Sequence, residues 1–172
     1  MQRRLLRDGQ IAIDDWRYVA EAAADPSAPL IVTFDQWRLE PGTWLARGGR
    51  LGVVLSPEHH VEQLAPDLAH FALIAAEFPG PSEGRGYTQA RLLRERWNFK
   101  GELRATGQVL RDQFVFMLRA GFDAFEVKKE SDAEAFAATV KRYSVFYQPT
   151  GDGRVTALHR RMQLRDSESA GQ

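Results

Sequence analysis

Two short stretches of this 172-residue sequence, residues 51–55 and 71–78, are apolar at almost every position. A strand with one face in water alternates apolar and polar residues, whereas a strand covered on both faces reads as a continuous apolar run, as in parallel sheets. Three further apolar runs occur at residues 30–33, 103–106 and 125–128. The five runs predict about five mostly parallel strands in one α/β sheet.

The stretches between these runs have the periodicity of amphipathic helices. Apolar residues recur at helical spacing over residues 59–68, 88–97, 108–120 and 131–143. Strands that alternate with helices imply parallel strands joined by right-handed crossovers. A complete eight-unit barrel needs ~250 residues. We therefore expect an open doubly wound sheet or a partial barrel-like array.

The N-terminal residues predict a β-hairpin. Residues 3–6 and 11–13 flank Asp8-Gly9, a dipeptide that tolerates the positive φ angles of a tight hairpin turn. Asp14-Asp15 then offers an N-cap, so we expect a short helix over residues 14–23.

Composition excludes several classes of function. The 23 basic and 23 acidic residues cancel, so neither nucleic acid nor an anionic membrane is an expected partner. The sequence has no cysteine, which excludes thiolate catalysis, disulfides and cysteine-ligated metal centres. The 4 histidines lack the spacing of a zinc helix, and we predict no metal. The adjacent His59 and His60 are expected in a solvated loop or at a helix start, with a metal or substrate role as the alternative.

No apolar run approaches the ~18 residues of a membrane span, and no apolar stretch follows the N-terminal charges as in a secretory signal. We expect a cytoplasmic protein with one domain over residues 1–165. The polar residues 166–172 are expected to form a disordered tail.

The loop at residues 79–88 is the first candidate site. Ligands of parallel α/β folds bind beyond the carboxyl ends of the strands, and this glycine-rich loop follows a strand and precedes a predicted helix. Arg85 carries a guanidinium suited to sulfate, phosphate or carboxylate. The loop is either an anion site built from Arg85, Gly86, Tyr87 and Thr88 or a connection in which Arg85 pairs with a neighbouring carboxylate. It matches neither the dinucleotide fingerprint nor a P-loop, so no cofactor is predicted.

Charged residues inside the apolar runs are the second candidate site. Glu77, Arg104 and Glu126 converge at one edge if their strands are adjacent and parallel. A buried carboxylate needs a partner, and desolvation raises its pKa into a range useful for proton transfer. The alternative is a structural ion-pair network. Arg111 and Asp112 are expected to line the opening of the same site. The alternative for Asp112 is that its charge complements the dipole of the helix that follows.

Five segments of the sequence resemble a bacterial family, domain-of-unknown-function family 934. They are residues 77–79, 84–94, 101–107, 110–113 and 121–126. The resemblance extends from about residue 30 through residue 149. Members of this family are often labelled as oxidoreductases of sulfite reduction. Their genes commonly lie beside those for assimilatory sulfite reductase and for the sulfonucleotide reductase step.

The resemblance implies an accessory protein of assimilatory sulfate or sulfite reduction, with sulfite reductase or sulfonucleotide reductase as the expected partner. In this interpretation a small oxyanion binds at residues 84–88 with Arg85, Arg104 and Arg111.

Two alternatives remain open from the sequence. One is a cofactor-independent acid–base enzyme that acts on a small anionic substrate, with Glu77, Glu126 and Asp112 as candidate catalytic groups. The other is a module that docks to a reductase through exposed aromatic residues and Arg160-Arg161. Whether the chain is an enzyme is not decided by its sequence.

Overall fold

One eight-stranded sheet organises the chain, and the computed structural model describes residues 3–21, 27–142, 146–150 and 156–169. The strands are β1 (Arg4–Arg7), β2 (Gln10–Ala12), β3 (Arg17–Tyr18), β4 (Leu30–Thr33), β5 (Leu51–Leu55), β6 (Leu73–Phe78), β7 (Glu102–Gly107) and β8 (Ala124–Val127). Their order is β2-β1-β8-β7-β6-β5-β4-β3. Strands β3 to β8 pair in parallel, and β1 is antiparallel to both β8 and β2. The predicted mixed α/β fold with mostly parallel strands and an N-terminal hairpin is confirmed.

Most of the helices connect the parallel strands, and the last two follow β8. The helices are α1 (Phe34–Leu39), α2 (Pro41–Ala46), α3 (Val61–Leu64), α4 (Arg85–Arg91), α5 (Phe114–Ala120), α6 (Asp132–Arg142) and α7 (Ala157–Ser169). Helix α4 continues into a π-helical turn at Leu92–Arg96, and a 3-10 turn precedes α5. The segment expected to be disordered from residue 166 is helical as far as Ser169, and residues 170–172 lie outside the described ranges. None of the helices within the described ranges has both the length and the apolar character needed to cross a bilayer.

The helix expected over residues 14–23 is wrong in its first half. Arg17–Tyr18 forms the edge strand β3, a 3-10 turn follows at Val19–Glu21, and residues 22–26 lie outside the described ranges. Trp16 is buried against the sheet, so close to Gly52 that a Cβ there would lie 3.1 Å from the indole. Burial of Trp16 on the sheet overrides the local helix signal.

The two faces of the sheet differ in what covers them. On one face, apolar strand residues join the helices in the main core, as Val53, Ile74 and Leu103 do with Leu93 and Met117. On the other face a small apolar cluster, Trp16, Ile31, Leu73 and Ala75, covers only β4 to β6. Polar side chains therefore cover the second face of β7 and β8.

The sheet curls into a half-barrel with this second face on the inside. In a flat sheet, five strand spacings would separate β3 from β8 by roughly 24 Å. Tyr18 Oη of β3 nevertheless donates a hydrogen bond to Glu126 Oε1 of β8 at 2.8 Å. A tyrosine side chain is much shorter than that separation, so the sheet must curl. We call this side the inner face.

Candidate functional site

Three polar residues lie side by side at the carboxyl ends of β6 to β8. The β6–β7 register pairs Glu77 with Thr106, and Thr106 lies beside Glu126, to which its hydroxyl donates a hydrogen bond. We call Glu77, Thr106 and Glu126 the polar row. In parallel α/β folds this edge is where ligands bind, so the polar row is the candidate site.

Glu126 is buried and fully hydrogen-bonded. Its Oε1 accepts from Tyr18 Oη at 2.8 Å and Arg104 Nη1 at 3.3 Å, and its Oε2 accepts from Thr106 Oγ1 at 2.7 Å. Burial and the negative charge of Glu126 raise the pKa of Tyr18 well above its usual value, so the hydroxyl keeps its proton and remains a donor. These bonds hold Glu126 in one orientation.

Arg104 lies at the centre of an ion-pair network and has no exposed surface. It donates to both carboxylate oxygens of Asp14, at 2.9 and 3.0 Å, and to Glu102 Oε1 at 2.9 Å. Burial lowers the pKa of Arg104, but its hydrogen bonds to Asp14 and the charge of Glu102 outweigh this effect, so the net shift of the pKa is upward. Glu102 also pairs with Arg7. Arg104 therefore neutralises buried carboxylates and joins the N-terminal segment to the sheet.

Glu77 differs from the other charged groups of the inner face. It is half-buried, and its side chain makes no hydrogen bond or ion pair with any residue in the described part of the chain. It shares a face with Arg104, because the strand register pairs Ala75 with Arg104 and Glu77 with Thr106. Glu77, Arg104 and Glu126 therefore share the inner face. Arg104 and Glu126 are in direct contact, and the carboxylate of Glu77 is not part of that ion pair.

The structure does not bring Arg85, Arg104 and Arg111 together. Arg85 is more than half exposed and pairs with both oxygens of Glu83, at 2.9 and 2.7 Å. Hydrogen bonds from the Arg85 side chain and backbone N–H hold the pKa of Glu83 down to about 2. Arg111 pairs with Asp132 and Ser131, beyond the end of β8. Each arginine is thus bound to its own acidic partner, and Arg104 lies on the opposite face of the sheet from α4.

The other predicted residues of the glycine-rich loop belong to the packing of α4. Gly86 lies against the ring of Phe78, and the Tyr87 ring meets the same Phe78 ring edge-on at 5.4 Å. Burial, with the nearby charge of Asp112, raises the pKa of Tyr87 to about 12. Thr88 is exposed one position further along the helix. Asp112 is also exposed, in the 3-10 turn before α5.

Among the described residues, a groove lies at each end of β7. The larger, ≈ 510 Å³, lies at the amino end of β7, where Arg94 binds the backbone carbonyls of Phe99, Gly101 and Gly121. Those contacts tie loops together, and we assign the groove a structural role. The smaller, ≈ 350 Å³, lies beyond the carboxyl ends of β7 and β8. Its charged residues are Arg111, Asp112, Lys128, Lys129 and Asp132.

Sequence reasoning missed several residues of the inner face. Asp14 and Tyr18 gave no signal, because they reach β7 and β8 only through the curl of the sheet. Thr106 carried a usable signal, since it lies two residues after Arg104 and so on the same face. His59 and His60 lie at the start of α3, one of the two places expected for them, with His60 as the N-cap, but His59 is not solvated. Its side chain is only 13% exposed and packs against Phe34.

These features define a mixed α/β half-barrel with helices on its outer face and a polar row at the carboxyl edge of its inner face. Among the described residues, no group of three or more His, Asp or Glu side chains is arranged to hold a metal ion. The profile of a family described as "Bacterial protein of unknown function (DUF934)" matches residues 52–158, well over half of the chain. The chain belongs to this family. A comparison with curated proteins gave no match.

Proposed function

We propose that this protein is an acid–base catalyst that acts on a small anionic substrate in assimilatory sulfate or sulfite reduction. The pathway rests on the family resemblance. The chemistry is supported by one observation, the carboxylate of Glu77, which has no partner in the described part of the chain although it lies in a row of bonded polar groups. A half-buried carboxylate without a protein partner is free to exchange a proton with a bound substrate.

The neighbours of Glu77 have supporting roles. Thr106 and Tyr18 direct their hydroxyl protons to Glu126, which leaves Glu126 positioned rather than reactive. Arg3 lies with its guanidinium 4.3 Å from the Tyr18 ring centre, its Nε lies 4.0 Å from Glu126 Oε2, and its side chain is 43% exposed. Its positive charge beside the polar row favours an anionic substrate.

The test is complementation of a bacterial strain that lacks this gene, grown on sulfate, sulfite, sulfide or cysteine as the sole sulfur source. The wild-type gene should restore growth on sulfate and sulfite, and Glu77→Gln should not, because loss of an acid–base group costs about 10²–10⁴ in rate. Glu95→Gln is the matched control, since Glu95 is exposed and, among the residues that the structure describes, its carboxylate pairs with Arg91 on α4. Circular dichroism should show both variants folded.

Two outcomes contradict separate parts of the proposal. Growth of the deletion strain on all four sulfur sources would refute the pathway. Full complementation by Glu77→Gln would refute the acid–base role. In that case an accessory role that binds an oxyanion becomes the better explanation. The smaller groove supports this role, because it is lined by the positive charges of Arg111, Lys128 and Lys129.

A further inference from the structure

Ser56, His59 and Asp35 form a chain of polar contacts at the carboxyl ends of β4 and β5. Ser56 Oγ lies 3.0 Å from His59 Nδ1, and His59 Nε2 lies 3.5 Å from Asp35 Oδ1. Hydroxyl, imidazole and carboxylate thus follow one another in the order of a serine nucleophile, its base and the group that orients the base. Ser56 directly follows β5, so it lies at the carboxyl edge of the sheet, where ligands bind in parallel α/β folds.

The hydrogen bonds assign the tautomer of His59. The backbone N–H of Ser56 donates to His59 Nδ1 at 3.1 Å, so Nδ1 carries a lone pair. In a neutral imidazole the proton then lies on Nε2, the nitrogen that faces Asp35. The backbone N–H and the hydroxyl of Ser56 therefore share the single lone pair of Nδ1, the ring nitrogen that can accept the hydroxyl proton.

The turn that carries these groups is held rigidly. Gln89 of α4 is buried and its amide nitrogen donates to the carbonyl oxygens of both Ser56 and His59, each at 2.9 Å. The His59 backbone N–H closes the turn on Ser56 O at 3.1 Å, and the His59 ring packs 4.8 Å from the ring centre of Phe34. A reactive pair fixed in this way needs little reorganisation before it reacts.

We propose that Ser56 is a nucleophile that His59 activates for acyl transfer from small uncharged esters. Ser56 Oγ attacks the carbonyl carbon and an Oγ–C bond forms, while the hydroxyl proton passes to His59 Nδ1. The bond from the carbonyl carbon to the leaving oxygen breaks, and that oxygen takes the proton from His59. Water then attacks the acyl group with His59 as base, which releases the acid and restores Ser56. An uncharged ester fits the site because Asp35 and Glu58 place negative charge beside it.

The test uses p-nitrophenyl acetate with the purified full-length chain. We expect a burst of p-nitrophenolate that approaches one per protein molecule, and an acetyl group on the peptide that contains Ser56. Ser56→Ala should abolish the burst, while Ser82→Ala should not, because Ser82 lies exposed in the loop before α4. His59→Gln should slow the burst about 10²–10⁴-fold.

Glu58 provides a further control, because its carboxylate is a second acceptor for the Ser56 hydroxyl. Its pKa is lowered first by its own backbone N–H and then by that hydroxyl. Glu58→Gln should still be acetylated at Ser56 if His59 is the base. The wild-type protein alone can overturn the proposal. Absence of a burst would do so, and so would an acetyl group mapped to a lysine. Acetylation of Ser56 does not depend on Glu77. A failure of this proposal is therefore distinguishable from a failure of the acid–base role of Glu77.

Discussion

At the scale of single residues, Tyr18 shows how one hydrogen bond reports the shape of the whole sheet. It belongs to a two-residue edge strand, yet its hydroxyl meets Glu126 on the far side of the inner face. No periodicity in the sequence indicates this contact, because the two residues are 108 positions apart and become neighbours only when the sheet has curled. Glu126 itself was predictable as a buried carboxylate, since it interrupts an apolar run.

Replacement of Tyr18 by phenylalanine tests this contact. Glu126 Oε1 would keep only the longer bond from Arg104, so we expect the free energy of unfolding to fall by about 1–3 kcal/mol. Urea denaturation measures it. Tyr147→Phe is the control, because Tyr147 is 85% exposed and its hydroxyl should matter by less than about 0.5 kcal/mol.

The same variant changes the pH dependence of stability. The pKa of Tyr18 is raised in the folded state above its ordinary value of 10.0, so the folded protein holds this proton more tightly than the unfolded chain. The stabilisation is present below about pH 10 and is lost as the pH rises above it. Wild-type stability should therefore fall more steeply above pH 10 than that of Tyr18→Phe. Equal slopes would show that Tyr18 titrates in the same way in both states.

At the scale of elements, the glycine-rich connection before α4 shows that a motif alone does not decide whether a loop binds an anion or packs a helix. Gly86 was a candidate residue of a loop at residues 84–88 that approaches an anion. In the structure Arg85 is paired with Glu83, and Gly86 lets α4 approach β6. A Cβ on Gly86 would lie 2.6 Å from the ring of Phe78, a residue that is 1% exposed, whereas a Cβ on Gly84 would meet nothing within 4 Å.

We therefore expect opposite results from two alanine substitutions two residues apart. Gly86→Ala forces the helix or the buried Phe78 ring to move and should destabilise the fold by about 1–3 kcal/mol. Gly84→Ala should leave stability within about 0.5 kcal/mol of wild type. Thermal unfolding of the two variants compares them directly. A neutral Gly86→Ala would mean that α4 does not pack on β6 as closely as the structure shows.

At the scale of the whole molecule, the parallel strands were readable from the sequence and the curl was not. Continuous apolar runs located β4 to β8 within a residue or two, because burial on both faces removes polar residues from a strand. The coverage of the inner face was not predictable, since Asp14 and Trp16 come from a segment that reads locally as a helix start. Burial of Trp16 and the ion pair of Asp14 with Arg104 decide its structure instead.

The ion pair between Asp14 and Arg104 joins the N-terminal segment to the middle of the sheet, and its loss should be felt throughout the molecule. Arg104 has no exposed surface, so Asp14→Ala leaves a buried guanidinium with only Glu102 and Glu126. We expect a loss of about 3 kcal/mol, the lower end for a broken buried pair, because the Asp14 side chain is itself 27% exposed. Asp15→Ala is the neighbouring control: Asp15 pairs with Arg50 at the surface, where a salt bridge contributes about 0–1 kcal/mol.

Added salt should screen the Asp15 effect and leave the Asp14 effect largely unchanged, because screening acts on exposed charges. If the two variants prove equally mild, the N-terminal segment is not coupled to the sheet through Arg104, and the inner face is held closed by the Tyr18–Glu126 bond and the burial of Trp16.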